Sequence, residues 1–230
     1  KGQYFAGTSV FTEAKAMTNN ATAMGKQSWG VQTRLLWRPR HADGDVVQVG
    51  CSFNYSSPNN DSHDGFGYSA NFPSRVSKVT DLSATIDHAR GSFKLSPEFL
   101  LVKGNMALEA QYYYMNVIRK DGYHNYRAHG AYGMFRTLLI GSQYTYTHGD
   151  GGIATPAPHS LEMVLGYNYT KASDSAAGVW GGISQDANCT FNYYVNSWMI
   201  ARLRYSYTTV RDRKVENLLP KRHVNILEAR

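Results

Sequence analysis

Apolar and polar residues alternate along most of this chain with a period of two, and helical periodicity is scarce. Over positions 26–38, Trp29, Val31, Thr33, Leu35 and Trp37 share one face, while Gln32, Arg34 and Arg38 share the other. The breaker-rich run from Pro39 to Gly44 predicts a short turn. It returns into 45–55, where Val47, Val49, Cys51, Phe53 and Tyr55 oppose Gln48, Ser52 and Asn54. Positions 56–83 read as one long polar connection. A strand is then expected over 85–102, with His88, Arg90, Ser92, Lys94, Ser96 and Glu98 on its polar face. Further strands are expected at 106–119, 126–140, 160–171, 186–195 and 199–211, and a last one from 223 onward. On 126–140 the pattern sets Arg127 and His129 against Tyr126, Ala128 and Tyr132. The tract 141–158 breaks the rhythm: 143–148 alternates briefly and 149–158 reads as loop.

About ten strands result, many near the ~9–11 residues that cross a bilayer at a tilt. Their connections alternate short with long, as at 103–105 and then 119–125, or 196–198 and then 211–222. Short turns at one end and long loops at the other are the pattern of an antiparallel transmembrane β-barrel. A soluble β-sandwich alternates too, but its apolar positions are mostly Val, Ile and Leu directed inward. Here Trp and Tyr stand at strand ends, where an interfacial girdle needs them. The whole chain, 1–230, reads as a single barrel domain.

Composition narrows the field. Aromatic residues make up 13% of the chain and charged residues 18%, which excludes a disordered polymer. No run of apolar residues approaches the ~18 that a spanning helix needs, and a mean hydropathy of −0.44 suits strands with one polar face. Two cysteines build no disulfide framework. The formal net charge of +7 directs attention to anions.

On the polar faces basic residues outnumber acidic ones, and in a barrel that face lines the lumen, where rings of Arg or Lys select anions. The candidate pore-lining, anion-binding residues are Arg34, Arg75, His88, Arg90, Lys94, Arg127, Arg202 and Arg204. His88, Arg90 and Lys94 would form a ladder, since residues two apart on a strand lie about 6.6–6.8 Å apart. The plainer reading pairs each of these with a lumenal Glu. Asn60 to Gly65 begins like a calcium loop, but Asn71 stands where a bidentate Glu belongs. No metal-type His or Cys spacing, nucleophile elbow or P-loop occurs, so neither cofactor nor catalytic residue is expected. Basic and aromatic residues lie on opposite faces of the same strands, which argues against nucleic acid.

Several segments resemble the phosphate-selective porin O/P family. They are Arg34-Leu35-Leu36-Trp37-Arg38-Pro39 followed by 44–50, then 86–95, and above all 191–196 running into 201–207, with 225–230 after it. The style is nearest to members from Bacteroidota. The resemblance implies an outer-membrane porin of roughly sixteen strands in a Gram-negative cell, commonly a homo-trimer, whose basic lumen passes phosphate-like anions. Its partners would be outer-membrane lipid, small anions and other outer-membrane proteins. Measured against that pattern, the chain is expected to be the C-terminal portion, without N-terminal strands and without the end of the last one. The long loop, carrying Arg75 and Lys78, would fold into the pore or cap it. The alternative is a porin-like barrel serving as a subunit or scaffold of a larger membrane assembly.

Overall fold

The computed structural model describes residues 2–12, 28–58, 65–74, 79–149, 151–214 and 221–230, and regular structure among them is entirely β. Ten strands form one antiparallel sheet. They are β1 (Tyr4–Thr12), β2 (Trp29–Ala42), β3 (Asp45–Ser56), β6 (Ala89–Lys103), β7 (Met106–Arg119), β8 (Tyr126–Ile140), β11 (Leu161–Asp174), β12 (Val179–Tyr194), β13 (Ile200–Arg213) and β14 (Arg222–Ala229), neighbours in that order. The sheet is not closed, and β1 and β14 are its edges. Two small hairpins complete the fold: β4 (Phe66–Asn71) with β5 (Thr80–Ile86), and β9 (Tyr146–Thr147) with β10 (Gly152–Ile153).

The strand count agrees with the sequence pattern, but its membership does not. Residues 143–148 are no wall strand; most of the tract leaves the sheet and forms the β9–β10 hairpin. The tenth wall strand is instead β1, whose YFAGTSVFT alternates too weakly to announce itself. The strand expected over 85–102 is also two elements. His88 adopts a left-handed φ of 58°, which ends β5, and a bulge between Ala89 and Gly91 opens β6. The connection expected at 56–83 therefore contains a hairpin rather than loop alone.

Turns of two residues at Asp43-Gly44 and Gly104-Asn105, with the Asn196–Met199 turn, mark one end of the sheet. Gly104, at φ 58°, supplies the left-handed residue that such a tight hairpin requires. The connection between β8 and β11, 141–160, starts from this same end, whereas those at 57–88 and 120–125 lie at the other.

The two faces differ as the alternation demands. Trp29, Leu35, Trp37, Val49, Phe53, Leu165, Tyr167, Phe191, Leu203, Tyr205 and Leu227 all lie exposed on the outer face. Such a continuous apolar surface has no stable neighbour in water and fits hydrocarbon. Trp29 and Trp37 are eight residues apart, about 26 Å along the strand and roughly 20 Å after a ~40° tilt. That separation sets the two rings just inside the two borders of a barrel's apolar band of about 25 Å.

Candidate functional site

The inner face is where chemistry is possible, and charge is arranged on it in a belt. Reading across the sheet, Arg34 on β2 meets Glu98 on β6, with Nε 3.2 Å from Oε2. Next come Glu109 on β7 and Arg136 on β8, 2.9 Å apart, and Arg136 also binds Glu162 on β11. Beyond lies Asn192 on β12, whose Oδ1 accepts from Arg202 Nε on β13 at 2.6 Å. Arg34, Arg136 and Arg202 are thus balanced along the belt by Glu98, Glu109 and Glu162. Nearer the other end, Arg204 lies 3.7 Å from Asp186.

Glu162 is the hub of this belt. It is fully buried, and its carboxylate accepts from Arg136 Nε and Nη2 (2.9 and 2.8 Å), the Tyr144 hydroxyl (2.9 Å), Asn192 Nδ2 (2.9 Å) and the Tyr194 hydroxyl (2.8 Å). Tyr144 belongs to the tract that broke the alternation. Burial and the nearby Glu162 carboxylate push its phenol well above the usual value, so it remains a donor.

That tract folds inward from the short-turn end. Tyr144 exchanges backbone hydrogen bonds with Gly44 and Gly104, and Tyr146 N–H is accepted by Asp43 Oδ1. The Tyr146 hydroxyl donates to Gln48 Oε1 at 2.6 Å, and Gln48 Nε2 donates to the Gly151 carbonyl at 2.8 Å. Arg38, buried beneath, donates to the carbonyls of Gly2 and His148. Apolar contact with Val46, Leu100, Val102, Ala107 and Leu138 completes the seat.

The β4–β5 hairpin enters from the opposite end and crosses to the far wall. Phe66, Ala84 and Ile86 pack on Ala89, Val117, Tyr126 and Ala128. Ser184 on β12 donates to Asp81 Oδ2 at 3.2 Å, and Arg213 on β13 donates to the Thr80 carbonyl. A Cβ at Gly181 would lie 2.9 Å from that of Ala84, and one at Gly182 would lie 2.7 Å from Leu82 Cδ2. These glycines permit the close approach.

An open cavity of about 640 Å³ lies along β1, β2, β3, β6 and β7. Arg34 and Lys94 line it, and Lys94 stands over the Tyr68 ring of the inserted hairpin, 5.2 Å from its centre. A smaller niche of about 230 Å³ adjoins it between Glu98, Glu109 and Gly151.

The expected pore-lining residues separate accordingly. Arg34, Lys94, Arg202 and Arg204 lie on the inner face, and only Arg34 and Lys94 of these border the open cavity. His88 and Arg90 do not continue the ladder. The bulge carries Arg90 to the rim, where it pairs with exposed Asp121 at 3.0 Å, and His88 stacks on Tyr123 at 4.1 Å. Arg127 is on the wrong face. Its neighbours Tyr126 and Ala128 are buried against the inserted hairpin, so Arg127 points outward and exposed. The polarity rule inverts there because an insert, not water, covers the inner wall. Arg75, Lys78 and the calcium-like stretch through Asp64 lie outside the described residues. Among the described residues no group of His, Cys, Asp or Glu could hold a metal.

Sequence reasoning missed Arg136, Tyr144 and Asp81. Arg136 shares the phase of Tyr126 and was hidden by the inverted polarity of β8. Tyr144 lies in a tract read as a brief strand-like alternation and Asp81 in one read as connection, and only the clustered aromatics of 144–146 hinted at a packed segment.

An antiparallel sheet with a lipid-compatible outer face, an ion-paired inner face and inserts from both ends is the wall of a transmembrane β-barrel channel. The family model for the phosphate-selective porins O and P matches residues 1–230, and the chain belongs to that family. No curated protein matches the chain closely enough to serve as a relative.

Proposed function

We propose that this chain forms the wall of an outer-membrane porin that passes small solutes passively and favours small anions such as phosphate. The observation that carries this reading is the open cavity bordered by two cationic side chains, Arg34 and Lys94. Because Arg34 shares its charge with Glu98, the preference is modest and weakens with salt. The family's porin character supports passage across an outer membrane, and the apolar outer face supports lipid as the surrounding partner. A homo-trimer in that membrane is the assembly we favour. No catalytic step is assigned.

The test is the reversal potential of the reconstituted porin in a salt gradient. Anion bias that falls as salt rises is expected; cation bias at low salt overturns the reading. The two inserts seated on the inner face favour a second reading, a plugged barrel that scaffolds a larger assembly. That reading requires a reconstituted barrel that conducts no ions.

A further inference from the structure

The lining of the 640 Å³ cavity is not what inorganic phosphate alone would need. A bare oxyanion is held by clustered cations and backbone N–H groups. Here the neutral amides Gln32, Asn54 and Gln111 stand beside one ammonium, Lys94, and one guanidinium, Arg34, which is paired with Glu98. Gln32, Asn54 and Lys94 occupy register-matched positions on β2, β3 and β6: Gln32 opposes Asn54, and Asn54 opposes Lys94. Adjacent strands lie about 4.8 Å apart, so this row presents amide, amide and ammonium over about 10 Å. No side-chain hydrogen bond occupies either amide among the described residues, and both border the cavity. Gln111 is fixed at the next level, donating to Ser96 at 2.8 Å and accepting from the Tyr113 hydroxyl at 2.7 Å, with the Tyr113 ring exposed beside it.

Planar amides offer donor and acceptor together, the pattern that vicinal hydroxyls satisfy, and a half-exposed aromatic ring suits the apolar face of a pyranose. The ammonium at one end suits a charged substituent. We infer that the row Gln32–Asn54–Lys94 is a binding subsite for a polyhydroxylated anion, a sugar bearing a phosphate or carboxylate. The charged group sits at Lys94, and the ring lies over Asn54 and Gln32. This assignment rests on the anion-favouring reading above and names the solute class within it.

Block of chloride current through the intact porin in planar bilayers tests it, with glucose 6-phosphate, inorganic phosphate and glucose as probes. Glucose 6-phosphate should half-block at a concentration about tenfold below either of the others, the value of roughly one added hydrogen bond to a charged or well-placed group. Combining Gln32→Ala with Asn54→Ala should erase that advantage while leaving phosphate block unchanged. Lys94→Gln should weaken both phosphate-bearing probes equally. Asn54→Asp, which keeps the shape, should raise the half-blocking concentration of glucose 6-phosphate and spare glucose. Heat-modifiable electrophoretic mobility confirms that each variant is folded. Equal block by glucose 6-phosphate and phosphate in the parent, or an advantage that survives the double substitution, overturns the subsite while the anion bias stands. Cation bias in the parent overturns both.

Discussion

Glu162→Gln isolates the contribution of the hub that ties the inward tract to the wall. The carboxylate accepts five hydrogen bonds from four residues. A glutamine of the same shape keeps one acceptor oxygen and turns an NH₂ group toward the remaining donors. If the oxygen keeps Arg136 and Tyr144, the amide nitrogen confronts Asn192 and Tyr194. Tyr194 can rotate its hydroxyl to accept, which leaves the Asn192 amide and one guanidinium charge short of a partner. An unsatisfied buried donor costs about 1–3 kcal/mol. Removing one member of a buried ion pair costs about 3–5 kcal/mol, reduced here because Arg136 retains Glu109 at 2.9 Å. A loss of about 3 kcal/mol is therefore expected. It should be visible as a lower urea midpoint for the heat-modifiable mobility shift of the porin in vesicles. Tyr144→Phe removes one bond and should cost about 1 kcal/mol. Both variants should also add open-channel current noise as the 141–153 tract loosens. A Glu162→Gln porin within about 0.5 kcal/mol of the parent, with quiet current, would refute the reasoning.

Three further outcomes follow from the inserts and the outer face. Burial holds the Asp81 carboxyl above its usual range, only partly offset by the Ser184 hydroxyl and Arg213, and Asp81 Oδ1 has no partner. The folded state thus binds that proton more tightly, so hairpin docking is strongest below the usual carboxylate value of 3.8 and weakens as pH rises through the raised one. Asp81→Asn should flatten this dependence, read as protease protection of the hairpin between pH 4 and 7. Gly181→Val should displace the hairpin, because even a Cβ there meets the Ala84 Cβ of β5 at 2.9 Å, and single-channel conductance should rise. Trp37→Phe should lower quenching of tryptophan fluorescence by brominated lipid; unchanged quenching would remove Trp37 from the lipid-facing belt.

The wall was legible from alternation wherever water or lipid covers a face. On β2, β3 and β13 the phase of Trp37, Val49 and Leu203 against Arg34, Asn54 and Arg204 matches the observed faces residue for residue. Alternation failed where protein covers the inner wall. Tyr126 and Ala128 on β8 are apolar and inward because Phe66 and Ile86 lie on them, and this put Arg127 on the wrong side and hid Arg136. The break at His88 was equally invisible, since a left-handed backbone and a bulge leave the composition of 85–102 unchanged. The family resemblance was legible because it draws on many wall segments together, none of which depends on the inserts.

That failure has a consequence for function. Counting basic residues along polar faces treats every lumenal arginine as a field source. On the inner face, however, Arg136 is neutralised by two glutamates and Arg204 faces Asp186. Arg38 is spent on backbone carbonyls that anchor the inward tract. These guanidiniums hold the inserts and the wall in place, and at such short range the carboxylates beside Arg136 and Arg204 cancel most of the potential that a passing ion would feel from those two. Selectivity then depends on what the inserts leave uncovered rather than on the total charge of the face. The open cavity is bordered by the Gln32–Asn54–Lys94 row with Arg34 beside it. Substituting Arg136 or Arg204 should therefore disturb stability far more than reversal potential, whereas Lys94→Gln should do the opposite.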